Sequence, residues 1–213
     1  MKKYTFGYIR HKQDVHDRYL GYSLARLQGE FDVISTSDAA FPAANYNALL
    51  DQCKTDYLIL THQDVSFPPD LLARIDATIA HLPSFGALGM VGRDAAGNYR
   101  WSTPDAIYEV DTLDCCFLVV RRDTACRFDT VNFGEYHLYV EDFCAQMTRL
   151  RGEKVYTILV PSGEQFDSLY QPGFEPVKLV HHSATVSQQG FRWGRYDEFR
   201  ATLERKWGVV QTT

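Results

Sequence analysis

The stretch from Asn47 to Asp64, which reads NALLDQCKTDYLILTHQD, decides the fold. Its part from Tyr57 to Thr61 is apolar and branched enough to form a buried strand. Three polar residues, His62, Gln63 and Asp64, follow that strand directly. Polar groups at the carboxyl end of a strand in an α/β sheet lie where ligands bind. The stretch therefore predicts a buried strand that delivers a carboxylate to a ligand site.

Strands and helices alternate on both sides of this stretch. The apolar spacing predicts strands at 5–9, 31–35, 57–61 and 87–91, and helices at 17–28, 42–53 and from 68 or 69 to 82. Elements in this order are typical of an α/β fold with a mostly parallel sheet and right-handed crossovers. The first half therefore reads as a Rossmann-like unit.

The second half follows a different plan. Strands are predicted at 107–110 and 116–121, close enough in sequence to pair, and another at 154–160. Helical spacing marks 139–151, ended by Gly152, and 195–207 near the end of the chain. The fold-class prediction is a three-layer α/β/α sandwich with a mixed second half. We expect one domain over 1–213, divided into a first part at 1–92, a second at 93–191 and a terminal helix and tail at 192–213.

Composition limits the kinds of partner. The chain has 213 residues, 45% of them apolar, and a net charge of −5, which argues against a nucleic-acid partner. Its five cysteines show no paired spacing, no apolar run reaches the roughly 20 residues that span a bilayer, and no apolar signal core follows the first lysines. These features predict a reduced, cytoplasmic chain, with peripheral contact at the inner face of a membrane left open.

Asn47 and Asp64 are 17 positions apart, and Glu141-Asp142 opens a helix that ends in Gly152 before a basic residue and a strand. In this, and in His181-His182 after a further strand, the chain resembles the family 2 glycosyltransferases of GT-A fold, especially bacterial capsule and polysaccharide types. The resemblance covers most of the chain and implies that 1–92 is the nucleotide-binding half and 93–191 the acceptor and catalytic half. It implies a nucleotide-diphosphate sugar donor, with UDP-sugar as the expected type, and a saccharide or glycolipid acceptor.

The chain departs from that family at the donor site. His62 stands where the family has the first aspartate of Asp-x-Asp, and Tyr46 stands where an arginine precedes the asparagine. Histidine is a poorer partner than carboxylate for hard Mg²⁺ or Mn²⁺. The resemblance nevertheless implies a divalent cation, Mn²⁺ or Mg²⁺, with Asp64 and His182 as its ligands. Adjacent residues on an extended chain point to opposite faces, so either His181 or His182 reaches the ion, and we favour His182.

Acid–base chemistry is expected from the helix at 139–151. An acceptor hydroxyl must lose its proton as it attacks the anomeric carbon, which calls for a carboxylate within hydrogen-bond reach. The resemblance gives Asp142 this role of base in an inverting transfer, and Glu141 a place beside the acceptor. Acidic residues at helix starts are ordinarily capping or dipole-compensating residues, which is the plainer interpretation.

Six further residues complete the expected site, four for the donor and two for the acceptor. Asp38 resembles the carboxylate that relatives use for the uracil ring, Tyr8 lies at the end of the first strand, and Asn47 and His62 face the donor by the same resemblance. For the acceptor we expect contacts from Asp114, between two strands, and from Trp193, in a loop flanked by glycines. In most chains such residues are ordinary turn or packing residues.

Three functions remain open at this point. The first is an inverting, metal-assisted hexosyltransferase. The second is a GT-A-fold binding module that has lost turnover because His62 replaces a carboxylate. The third is a metal-dependent hydrolase or nucleotidyltransferase that uses Asp64 and histidines.

Overall fold

The computed structural model describes residues 2–37, 40–135, 137–164, 176–182 and 195–213. The strands in these ranges are β1 Tyr4–Ile9, β2 Phe31–Thr36, β3 Tyr57–Thr61, β4 Val65–Ser66, β5 Ala87–Gly89, β6 Val91–Arg93, β7 Tyr99–Trp101, β8 Glu109–Val110, β9 Thr112–Leu113, β10 Phe117–Arg121, β11 Val155–Thr157, β12 Ser162–Glu164 and β13 Leu179–His181. The helices are α1 Gln13–Arg18, α2 Leu20–Leu24, α3 Pro42–Gln52, α4 Leu71–His81, α5 Tyr139–Ala145 and α6 Tyr196–Trp207. A π-helical turn, Gln146–Leu150, continues α5.

A seven-stranded sheet forms the centre, in the order β2-β1-β3-β10-β5-β11-β8. The first three strands are parallel to one another. Strand β10 is antiparallel to both of its neighbours, β5 and β11 are parallel, and β8 is antiparallel at the edge. The α/β prediction is confirmed, with a parallel N-terminal half and a mixed C-terminal half.

The central sheet separates two hydrophobic cores. Leu58 and Leu60 of β3 lie in one core with side chains of α3, α5 and α6, whereas Ile59 lies in the other with side chains of α2 and α4. Alternation along an extended strand sends successive side chains to opposite faces, so β3 must be apolar throughout. Helices on both faces of one sheet make the expected three layers.

Two small sheets flank the central one. Strands β12, β13 and β4 form the first, in which β13 is parallel to β12 and antiparallel to β4. Strands β7, β6 and β9 form the second. Only three residues separate the carboxyl end of β3 from the start of β4, so the first small sheet lies beside the edge where the sequence places its polar residues.

Several elements differ from the sequence-based expectation. The helix predicted at 17–28 is two short helices, α1 and α2, joined at Tyr19, and the strand predicted at 87–91 is divided between two sheets as β5 and β6. The expected pairing of 107–110 with 116–121 is wrong, because β8 pairs with β11 while β10 lies between β3 and β5.

Among the described helices, none combines the length and apolar character that crossing a bilayer requires.

Candidate active site

Three side chains converge where β3 ends: His62, Asp64 and His181. The Asp64 carboxylate lies 3.6 Å from Nε2 of His181 and 3.9 Å from Nδ1 of His62. One ligand atom from each residue lies within 4.8 Å of the other two. The two imidazole rings are 5.4 Å apart between centroids and inclined at 67°. We call these three residues the His-Asp-His cluster.

Strand pairing positions the cluster. His62 follows β3, and its backbone N–H donates to the carbonyl of Cys116, which holds the chain against the start of β10. Val65 of β4 pairs with His181 of β13, and the N–H of His182 donates to the carbonyl of Asp64 at 2.9 Å. The segments that contain β4 and β13, more than a hundred residues apart in the chain, are thereby joined by backbone hydrogen bonds beside the cluster.

The two histidines are the more exposed members of the cluster. The Asp64 side chain is 3% exposed, that of His181 15% and that of His62 22%. Burial lowers the pKa of His62, against the opposing charges of Asp64 and Asp114. Burial also acts to lower the pKa of His181, but its interaction with Asp64 and the charge of Asp114 outweigh that cost and raise the pKa. The arrangement places a buried carboxylate beneath two more accessible ring nitrogens.

His181, and not His182, lies beside Asp64, so the expectation for His182 needs correction. Nε2 of His182 is 2.7 Å from the Ser66 hydroxyl, and its ring stacks on Tyr19 with centroids 4.0 Å apart. Neighbouring residues of an extended segment face opposite sides, and the packing of Tyr19 settles which side each takes. His182 supports the site by packing.

Gln63 and His11 were not singled out by the sequence. The Gln63 side-chain oxygen accepts hydrogen bonds from the backbone N–H groups of His11 and Lys12, both at 3.1 Å, and its amide nitrogen lies 3.1 Å from the His11 ring. Gln63 therefore ties the segment after β1 to the segment after β3. Its position between His62 and Asp64 was the signal that could have identified it.

Asp114 lies near the cluster, and Glu141 lies near Asp114. The charge of Asp114 acts on His62, His181 and Glu141, and its Oδ1 accepts a hydrogen bond from the N–H of Cys116 at 2.8 Å. Glu141 is 5% exposed, and burial raises its pKa to about 7 in spite of hydrogen bonds that favour the charged form. Thr213 Oγ1 donates one of these hydrogen bonds, at 2.9 Å.

Asp142 occupies a different environment from Glu141. Its side chain has no exposed surface, and its carboxylate accepts hydrogen bonds from Gln146 at 2.8 Å, Lys206 at 2.7 Å and the Trp207 indole at 2.6 Å. A base must reach the hydroxyl that it deprotonates. This carboxylate instead joins α5 to α6.

Asn47 and Tyr8 also make structural contacts. The Asn47 side chain exchanges two hydrogen bonds of 2.9 Å with the backbone of Phe128, one in each direction. Tyr8 is buried at the end of β1, 3.1 Å from His16 Nε2 through its hydroxyl. Asp38 and Trp193 lie outside the described residues. The structure thus brings His62 and Asp64 together with His181 and the charge of Asp114.

The cluster has the chemistry of a metal site. Imidazole nitrogens and a carboxylate oxygen are common ligands of divalent transition ions, with bonds of about 2.0–2.2 Å. Ligand atoms in such a shell are about 3–3.5 Å apart, so the separations of 3.6 and 3.9 Å need only a small contraction around an ion. The three residues therefore fit a divalent cation.

Solved structures share the fold. S. aureus TarS, residues 1–349, in complex with UDP-GlcNAc matches with a TM-score of 0.58 and 13% identity over 97% of this chain and 66% of that chain. The mannosyltransferase PcManGT from Pyrobaculum calidifontis, in complex with GDP-Man and Mn²⁺, matches with a TM-score of 0.56 and 14% identity over 93% of this chain and 61% of that chain. The same TarS fragment, without a ligand in its description, is spanned over 61% of its length. No protein-family model and no curated protein matches the sequence. The chain has the mixed α/β fold of these glycosyltransferase structures.

Proposed function

We propose that this protein transfers a sugar from a nucleotide-diphosphate donor to an acceptor hydroxyl, with a divalent cation at the His-Asp-His cluster. The observation that carries the proposal is the meeting of His62, Asp64 and His181 at the carboxyl end of β3. Ligands of open α/β sheets bind at that edge. Two structures with this fold hold UDP-GlcNAc or GDP-Man, one of them with Mn²⁺, which supports a nucleotide-sugar at the same edge here.

His62, Asp64 and His181 would hold the cation, which would act on the diphosphate of the donor. A bound cation neutralises the negative charge that gathers on a departing diphosphate. The buried Asp64 contributes the charged ligand, and the two histidines contribute neutral ones from the accessible side. Gln63 holds the segment from His11 to Lys12 beside the residues that follow β3, where His11 acts electrostatically on His62.

For the base we now propose Glu141 in place of Asp142. Its raised pKa of about 7 matches the requirement that a general base be poised near the working pH, and it shares the charge of Asp114 with both histidines. The acceptor proton passes to Glu141, the acceptor oxygen bonds to the anomeric carbon, and the bond from that carbon to the diphosphate breaks with its electron pair on the leaving group.

The finer features of the reaction follow from this arrangement. A single carboxylate base and direct displacement give inversion at the anomeric carbon. We propose a hexosyl group on UDP as the donor and a saccharide or glycolipid hydroxyl as the acceptor. Asp114, partly exposed between β9 and β10, is proposed to contact the acceptor.

A donor-turnover assay tests the proposal. The full chain with Mn²⁺ is incubated with a panel of UDP- and GDP-sugars, and release of nucleoside diphosphate is measured with and without simple saccharide acceptors. We expect release from at least one donor, loss of at least about 10²-fold in Glu141→Gln, and a retained rate per folded molecule in Asp142→Asn.

His81→Gln is the matched control. His81 is an exposed histidine on α4, and within the described residues its side chain hydrogen-bonds only to the carbonyl of Ala77. Its rate should equal that of the unmodified protein. Release that is unchanged in Glu141→Gln, or lost in Asp142→Asn with folding intact, would return the base to Asp142. No release from any donor would count against glycosyl transfer.

A further inference from the structure

We propose that the His-Asp-His cluster selects a transition-metal ion of the Co²⁺ or Zn²⁺ type over Mg²⁺ and Ca²⁺. The inference deepens the proposed function and rests on it for the role of the ion. The ion preference itself follows from the ligand atoms. They are two imidazole nitrogens and one carboxylate oxygen, held within 4.8 Å of one another.

The donor atoms exclude a good magnesium site. Mg²⁺ requires oxygen ligands at about 2.0–2.1 Å in near-octahedral geometry and is usually held by one or two carboxylates, and Ca²⁺ takes six to eight oxygens. The cluster supplies a single carboxylate, Asp64, and histidines at the other two positions. Imidazole suits Zn²⁺, Fe²⁺ and Ni²⁺, and affinity for nitrogen sites rises from Mn²⁺ through Co²⁺.

A second observation concerns the far side of the His181 ring. Nε2 of His181 lies 3.6 Å from Asp64, while its other nitrogen, Nδ1, lies 3.9 Å from Oε1 of Glu164 on β12. A carboxylate on the second ring nitrogen of a metal-bound histidine fixes the ring and increases its basicity as a ligand. The parallel pairing of Glu164 with His181 in the β12–β13 ladder holds both residues in register. The 3.9 Å separation is an ion-pair contact, longer than a hydrogen bond, and it places a carboxylate beside the ring nitrogen that does not face Asp64.

The third observation is the direction of access. Asp64 is nearly enclosed, and the two histidines carry the exposed part of the cluster. The two histidines would therefore offer the more accessible ligands and Asp64 the buried one. The remaining coordination positions are left to water or to diphosphate oxygens, as in sites with three protein ligands.

Metal titration tests the inference without any nucleotide. The chelator-treated full chain is titrated by calorimetry with MgCl₂, CaCl₂, MnCl₂, CoCl₂ and ZnCl₂ separately, and Co²⁺ binding is also followed by its visible absorption. We expect binding to tighten from Mn²⁺ to Co²⁺ to Zn²⁺, with Mg²⁺ and Ca²⁺ on the order of 100-fold weaker than Co²⁺.

Three variants locate the effect. His62→Asp should reduce the Co²⁺-to-Mg²⁺ preference by on the order of 10-fold, since it replaces a nitrogen with an oxygen ligand. Glu164→Gln should weaken Co²⁺ binding by on the order of 10-fold, the lower end for a residue behind a metal ligand. His81→Gln should change neither the Co²⁺-to-Mg²⁺ preference nor the affinity for Co²⁺. His62 and Glu164 are both partly or fully exposed, so these variants are expected to fold, which circular dichroism checks.

Definite outcomes would overturn the inference. Mg²⁺ binding within 10-fold of Co²⁺, or a preference unchanged in His62→Asp, would do so. An intense Co²⁺–thiolate absorption band would assign the ion to cysteine, of which only Cys115 is not fully buried.

A parallel titration with UDP and GDP separates the two proposals. Nucleotide binding without the metal preference leaves the proposed function standing, and the preference without nucleotide binding leaves the metal site standing.

Discussion

His62 is the residue at which this chain departs most clearly from an Asp-x-Asp pattern, and the structure gives that departure a consequence. The His62 ring lies edge-on to the His181 ring of β13, and both histidines lie beside Asp64, so the cluster has two imidazoles and one carboxylate. A site with one carboxylate carries less negative charge than a site with two. We expect the nitrogen ligands of this cluster, more than its negative charge, to determine which cation it binds.

Glu141 provides a test at the same scale through the pH dependence of stability. Its pKa is raised from an ordinary value of 4.5 to about 7 in the folded protein, so the folded state binds a proton that the unfolded state has released. The contribution of Glu141 to the unfolding free energy is therefore complete below about pH 4.5. It falls as the pH rises to about 7, by roughly 3 kcal/mol in total, because each unit of pKa difference corresponds to about 1.36 kcal/mol.

The Glu141→Gln variant should remove that fall. Glutamine keeps an oxygen to accept the Thr213 hydrogen bond but does not titrate, so urea unfolding at pH 5 and pH 8 should show a smaller loss of stability than in the unmodified protein. Glu30→Gln, at an exposed position, serves as the control and should retain the full dependence. The same dependence in both variants would show that Glu141 has an ordinary pKa.

Sequence reasoning reached part of the site at this scale. A polar triplet after an apolar strand was sufficient to find His62 and Asp64. The choice between His181 and His182 depends on the phase of a short strand, which is set by the contact of His182 with Tyr19 and Ser66 from remote parts of the chain. The surroundings of Asp142 are equally hidden in the sequence, since no local pattern indicates that Lys206 and Trp207 donate hydrogen bonds to that carboxylate.

At the scale of elements, Asp142 joins α5 to α6. The Trp207 indole donates to the buried carboxylate at 2.6 Å, together with Lys206. Trp207→Phe removes the donor but keeps most of the ring, and hydrogen bonds to charged groups contribute about 1.5–3 kcal/mol. Chemical denaturation should show a loss of this size.

Trp101→Phe is the matched control for that change. Trp101 is also half-buried, and no hydrogen bond of its indole is found among the described residues. Its replacement should cost less than about 1 kcal/mol of unfolding free energy. Equal losses in the two variants would mean that ring packing, and not the hydrogen bond to Asp142, fixes α6.

The β4–β13 pair offers a second test among the elements. Ser66 Oγ lies 2.7 Å from Nε2 of His182, and both side chains are buried. Ser66→Ala removes this hydrogen bond in a buried site, which costs about 1–3 kcal/mol. We expect that loss in thermal or urea unfolding, whereas the exposed Ser84→Ala should be nearly neutral. A neutral Ser66→Ala would indicate that the ladder alone holds β13.

Elements with strong local patterns were predictable, and elements fixed by distant contacts were not. Strand β3 and helix α3 match their sequence-based limits almost residue for residue because apolar runs and Pro42 define them. The helix predicted at 17–28 breaks at Tyr19, whose ring is fully buried against His182. Tertiary packing there overrides helix propensity. The pairing of β8 with β11 and not β10 is likewise non-local.

At the scale of the whole molecule, the sheet divides the chain into two cores and leaves one ligand edge. The parallel strands β1, β2 and β3 end at that edge, and the small β12-β13-β4 sheet closes one side of it. Alternation of strands and helices in the first half was enough to predict this plan. The second half contributes His181 through β13, and its antiparallel pairing with β4 is a long-range contact that no local pattern predicts.

The central claim is that the His-Asp-His cluster is the cation site of a nucleotide-sugar enzyme. The most direct measurement is calorimetric binding of UDP and GDP to the chelator-treated protein, with and without Mn²⁺, compared between the unmodified chain, Asp64→Asn and His81→Gln. The account predicts that Mn²⁺ tightens binding of one nucleotide by at least about 10-fold, about 1.4 kcal/mol, in the unmodified chain and in His81→Gln, but not in folded Asp64→Asn. Nucleotide binding that is absent, or equally strong in Asp64→Asn with Mn²⁺, would contradict it.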